Sequence, residues 1–129
     1  MSIRFSILLL SMFFANLATA RDWQLVVESQ NWQYFVDWST LKNNGNLRRL
    51  WTLSNPRIQR EVSTLQLLEV DCYEEKARDL QMTFFTGAMA TGDTIPTLIK
   101  TPSDWAHPPL RSARLVLLQE ICTKTSDSR

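Results

Sequence analysis

Alternation of apolar and polar side chains dominates this chain, and a period of two residues marks a strand with one face on a core. Residues 23–28 are rich in aromatic and β-branched side chains and predict a first strand. Trp32, Tyr34, Val36 and Trp38 share one face of a second. Only Ser29, Gln30 and Asn31 separate the two runs, which predicts a hairpin. The alternation breaks between Asp37 and Leu41. An aspartate side chain can accept backbone N–H groups two and three residues on. One short helical turn capped by Asp37 is therefore expected, with Leu41 turned inward. Asn43-Asn44-Gly45-Asn46 then predicts a tight turn, because Asn and Gly tolerate positive φ.

Residues 47–54 predict a third strand, with Leu47, Arg49 and Trp51 on one face and Arg49 near the rim, its stem packed. Pro56 should end that strand, and the polar residues 57–61 read as a mobile connection. Residues 62–72 form the expected fourth strand, with Leu68, Val70 and Cys72 on one face. Glu74 and Glu75 belong to the next turn. Residues 76–86 predict a fifth strand that gathers Leu80, Met82 and Phe84. Gly87 and Gly92 bracket an irregular loop, and residues 94–100 suggest a short edge strand limited by Pro96.

After Pro108-Pro109 the period lengthens. Ser112 is a good N-cap, and Leu115, Leu118, Ile121 and Cys122 fall on one helical face. Arg111 and Arg114 near its start and Glu120 in its last turn oppose the helix dipole. About ten residues of helix are marginal alone, so packing must hold this one. Residues 123–129 are polar and expected to be a flexible tail. The order predicts a mostly β, α+β domain. Five to six strands form an antiparallel meander, with one C-terminal helix on one face.

The first 20 residues stand outside that pattern. Arg4 precedes an apolar run from Phe5 to Phe14, and Ala18-Thr19-Ala20 offers the small-x-small site of a signal peptidase. Cleavage after Ala20 is expected, with Arg21 as the new N-terminus. An uncleaved anchor is the competing reading, but the run is short of the roughly 20 residues a span needs. Residues 21–122 are then one small domain. Without Arg4 the chain carries 13 basic and 13 acidic residues. That balance gives no electrostatic case for nucleic acid or anionic lipid.

Cys72 and Cys122 are the only cysteines. In an exported domain they are most simply one disulfide between the fourth strand and the helix end. A redox pair or metal site is the alternative, against which stand the lack of C-x-x-C and of further soft ligands. A loop of about 50 residues closed this way contributes on the order of 4 kcal/mol.

Several stretches resemble the surface-adhesin protein E family. Tyr34-Phe35-Val36-Asp37-Trp38-Ser39-Thr40-Leu41, Asn44-Gly45-Asn46 and Leu50-Trp51-Thr52-Leu53 match its front half. Leu68-Glu69-Val70-Asp71-Cys72 and Thr83-Phe84-Phe85-Thr86-Gly87-Ala88-Met89 match its middle. Trp105, Pro108-Pro109 and Ser112, ten positions before Cys122, match its end. The resemblance implies an antiparallel sheet, a C-terminal helix and a disulfide joining them. It also implies an envelope protein of a Gram-negative bacterium. Members that gave the family its name are surface lipoproteins that bind host matrix and serum proteins and can dimerise. This chain has no lipidation cysteine at its cleavage site.

Candidate chemistry is sparse. His107 is the single histidine, in a loop with no suggested partner for general-base work. Glu74-Glu75 reads as a solvated turn, and Glu69-Val70-Asp71 lacks the remaining ligands of a calcium loop. No phosphate-binding glycine loop is present. The expectation is a protein that is not an enzyme, without cofactor or metal. Of the five tryptophans, Trp23, Trp32, Trp38, Trp51 and Trp105, most are expected in core or sheet cover, and any exposed together would mark a contact surface. Trp105, in a proline-rich loop, with His107 and Arg48, is the candidate partner contact. Arg57 and Arg60 are expected on a solvated face. The function expected is a non-catalytic, adhesin-like protein-binding module, periplasmic or secreted, for a host matrix or serum protein or another envelope protein, with a homodimer as a further option. The alternative is a periplasmic structural, stress-related or inhibitor protein with no host contact.

Overall fold

The computed structural model describes residues 21–58 and 62–126. Six strands lie side by side in chain order: β1 (Gln24–Glu28), β2 (Trp32–Asn44), β3 (Leu47–Pro56), β4 (Ser63–Asp71), β5 (Lys76–Phe85) and β6 (Thr94–Ile95). Every neighbouring pair is antiparallel, so the sheet is the expected meander. One helix, α1 (Ala113–Ser126), packs on one face. The expected signal segment, Arg60 and residues 127–129 lie outside the described residues.

Residues directly opposed in neighbouring strands point to the same side of a sheet. Leu50 opposes Leu68, and Val70 opposes both Arg48 and Ala77. Val36, Leu50, Leu68, Val70 and Ala77 thus form one buried patch, closed by Leu117, Leu118 and Ile121 of α1. The buried stripe of α1 is rotated from the expected Leu115–Leu118–Ile121–Cys122 line. Leu117 is buried while Leu115 and Cys122 are half-buried, because the helix turns Leu117 onto the sheet.

Four fastenings hold α1. Ser112 Oγ accepts the Leu115 N–H at 3.1 Å, the expected cap. Arg114 reaches across to the Asp79 carboxylate on β5 at 3.3 and 3.4 Å. That pairing accounts for a cation near a helix start, where the dipole disfavours it. Cys72 and Cys122 form a disulfide. Arg48 Nε donates to Thr125 Oγ1 at 2.9 Å. Thr125 is buried, so α1 continues through Ser126 instead of giving way to a tail at residue 123.

The predicted helical turn after Asp37 is not formed. β2 runs straight through it, with Asp37 opposite Trp51 and Lys42 opposite Arg49, so four residues of β2 face one of β3. The local chemistry is as expected: Asp37 Oδ1 accepts the Ser39 N–H at 3.1 Å and also the Ser39 hydroxyl. Thr40 Oγ1 donates to the Asp37 carbonyl at 2.7 Å and accepts the Trp51 N–H at 2.9 Å. Those ties to β3 turn the insertion into a bulge. It still sends Leu41, with Trp38, against the core.

Smaller departures have similar causes. β3 continues to Pro56, which opposes Trp32. A second bulge leaves Leu80 without a partner on β4, because Asp79 opposes Leu68 and Gln81 opposes Leu67. The expected Leu80–Met82–Phe84 set is broken there, and the shift in phase puts Met82 on the same side as Ala77 and Asp79. The sixth strand is only two residues long and stops at Pro96. The rest of the β5 edge is met by residues 103–106: Ala77 and Ala106 exchange backbone hydrogen bonds of 2.9 and 3.0 Å.

The face opposite α1 is covered at one end only. A 3-10 turn (Ala88–Ala90) folds over it, held by Asn55 Oδ1, which accepts the Met89 N–H at 2.6 Å, and Ser63 Oγ, which accepts the Ala90 N–H at 3.0 Å. Met89 and Ala90 take left-handed φ of 55° and 57° there. Gly92 closes the loop at φ 81°, where a Cβ would strike the Thr86 hydroxyl. Leu53 is fully buried beneath this cover. The other end of the face is open.

Candidate functional site

Charged and aromatic side chains gather on that open end. Three strands contribute one charged residue each in direct cross-strand register: Arg49 of β3 opposes Glu69 of β4, and Glu69 opposes Arg78 of β5. Glu69 is a buried carboxylate, its side chain only 3% exposed. Oε2 accepts from Arg49 Nη2 at 2.9 Å, while Oε1 accepts from Arg78 Nε at 2.9 Å and pairs with Nη2 at 2.8 Å. Burial works to raise the Glu69 pKa. The hydrogen bonds and charges of the two arginines outweigh it and hold the carboxyl below its ordinary value.

Aromatic rings flank this triad. The Arg78 guanidinium lies 4.5 Å from the Trp105 ring centre, and Lys76 Nζ lies 5.4 Å from it. On the other side Arg21 sits 4.5 Å from the Trp51 ring centre and 5.9 Å from that of Trp23. A cation over an indole face is held by the ring quadrupole. The result is a band running from Trp51 through Arg49, Glu69 and Arg78 to Trp105. The Arg49 side chain is still 50% exposed and that of Arg78 30%. Two adjoining depressions open beside Arg49, of about 290 and 340 Å³. Lys42 and Arg49 line both; Arg21, Trp51 and Leu67 line the second.

The residues expected to carry function are spread out. Trp105 belongs to the band. His107, two residues on, is exposed and its Nδ1 lies 3.2 Å from the Glu75 carbonyl. Arg48 projects from the helix side and is spent on Thr125, Gly45 and Leu47. Arg57 pairs with Glu28 at 3.3 Å at the far end of β3. Glu74 sits 3.6 Å from Lys76. Asp71 caps the turn after β4, its Oδ1 accepting the Tyr73 and Glu74 N–H groups at 3.0 Å each. Among the described residues no group of three or more His, Cys, Asp or Glu is placed to hold a metal. The disulfide lies under α1, away from the band.

Sequence reading placed Arg21 as the expected new N-terminus, Arg49 as a rim residue and Glu69 in an incomplete carboxylate motif, but it did not single out Lys42 or Arg78 or join Arg49, Glu69 and Arg78 into a triad. One signal was present: Arg49 and Trp51 share a face, and so do Glu69 and Asp71 opposite the Leu68–Val70 side. Which strands bring those faces together is set by pairing register.

The tertiary layout agrees with the resemblance noted in the sequence. A family model described as surface-adhesin protein E matches residues 23–123. No curated protein and no solved structure matches the chain.

Proposed function

Because this chain belongs to the surface-adhesin protein E family, we propose that it is a non-catalytic protein-binding module whose open sheet face is the contact surface. Family and disulfide together suggest an extracytoplasmic location. Among the described residues no helix is long and apolar enough to cross a membrane.

The observation that carries the reading is the state of the band. Its arginines are held in place by Glu69 and by indole rings, yet remain accessible. Trp and Arg are the residue types that most often dominate binding energy at protein interfaces. A guanidinium already fixed in position loses little freedom when it engages a partner. Glu69 is engaged by two arginines, and His107 Nδ1 lies beside the Glu75 carbonyl, which favours binding over acid–base chemistry.

Retention of matrix, serum and envelope proteins on the immobilised, unreduced protein tests this. Trp51→Ala and Trp105→Ala should lower retention of a given partner, while Val116→Ala, on the exposed side of α1, should not. Retention unchanged by either tryptophan substitution, or absent altogether, would overturn the reading.

A further inference from the structure

We propose that the open-face band recognises an acidic protein segment, with one carboxylate of that segment seated where Arg21, Lys42 and Arg49 converge. This rests on the reading of the open face as the contact surface. Three cations line the paired depressions, and the carboxylate there, Glu69, is shared between Arg49 and Arg78. Arg21 and Lys42 form no ion pair among the described residues. Two of the other acids nearby are committed elsewhere: Asp37 is buried against Ser39, and Asp71 caps its turn. Asp22 is exposed beside Arg21. The site therefore carries an excess of positive charge in a chain whose overall charge is nearly balanced, so the attraction is local and favours one seated carboxylate over a long polyanion.

The floor argues for a peptide over a sulfated glycan. Leu47, Leu67 and Trp51 line the depressions and offer apolar contact that a glycan's sulfates would not use. Arg78 lines neither depression and turns, with Arg49, onto the one Glu69 carboxylate, so the seat holds one acidic residue, with apolar neighbours of that residue over the floor.

Fluorescence anisotropy on the purified, unreduced protein tests this with three probes. One is a labelled octapeptide bearing a single glutamate flanked by leucines. The second is its glutamine counterpart, and the third a heparin octasaccharide. The glutamate peptide should bind, and the glutamine peptide should bind at least about tenfold more weakly. Lys42→Glu and Arg21→Gln should each weaken the glutamate peptide by about tenfold, and raising salt from about 50 to about 300 mM should weaken it further. Neither substitution touches Glu69, so the fold is spared. Equal binding of the two peptides, indifference to Lys42→Glu, or no peptide binding would each overturn the proposal; so would heparin binding without peptide binding. If the peptide fails while Trp51→Ala and Trp105→Ala still abolish partner retention, the contact surface stands and the acidic chemistry is wrong. If retention is also unaffected, both readings fall.

Discussion

Arg78 meets a single oxygen of Glu69 with two of its nitrogens, at 2.9 and 2.8 Å, while its guanidinium rests on the Trp105 ring. The other carboxylate oxygen belongs to Arg49. Glu69→Gln leaves the amide oxygen to serve one arginine and presents an NH2 group to the other. The expected cost is about 1–3 kcal/mol, set by the loss of a charged acceptor at a buried position. A urea titration of both proteins at neutral pH measures it.

The same carboxylate makes a pH prediction. Its pKa is lowered in the fold, so its contribution is fully present above the unfolded glutamate value of about 4.3. It is lost as pH falls from there through the lower folded-state value. Stability of the native protein should therefore drop below about pH 4.3, and Glu69→Gln should show a smaller drop over that interval. Urea midpoints followed down to about pH 3 decide it; identical slopes would exclude Glu69 as the source.

Thiol titration of the unreduced protein should find no free sulfhydryl, because Cys72 and Cys122 are bonded. Reduction, or Cys72→Ser with Cys122→Ser, should cost about 4 kcal/mol for a closed span of this length. The helix should loosen first at its C-terminal half, where Ile121 and Thr125 pack. Hydrogen exchange in α1 would reveal it, and unchanged protection there would mean that packing alone suffices.

Asp37→Ala removes the acceptor for the Ser39 N–H and hydroxyl in the bulge of β2. A loss of about 1–2 kcal/mol is expected. Trp38 and Leu41 depend on the bulge to reach the core, so near-ultraviolet circular dichroism should change as well. A spectrum and a midpoint identical to the native ones would refute the role.

N-terminal sequencing of the exported protein should begin at Arg21. A retained Met1 would remove the argument for an oxidising compartment that rests on the leader. It would also place chain in front of the cation that sits on Trp51.

Local chemistry was enough for much of this fold. The alternation of Trp32, Tyr34 and Val36, the Gly45-Asn46 turn and the Ser112 cap are short-range features, and each appears where the residues put it. Even at Asp37 the short-range part was legible, since the side chain does accept the N–H two residues on. What it could not settle was whether that interaction starts a helix or a bulge, because the hydrogen bond from Trp51 to Thr40 decides it from another strand. The same limit governs the rest. Leu80 falls out of phase because β4 shifts register against β5, and Leu117 faces inward because α1 is clamped by Asp79 and Arg48. The band itself depends on three strands meeting at one level. Glu69 lies 20 residues from Arg49 and 9 from Arg78 in sequence. Nothing in a single strand's pattern tells which residues will stand opposite it. Pairing register is a property of the assembled sheet, and the charge, burial and reach of Glu69 and its arginines follow from that register.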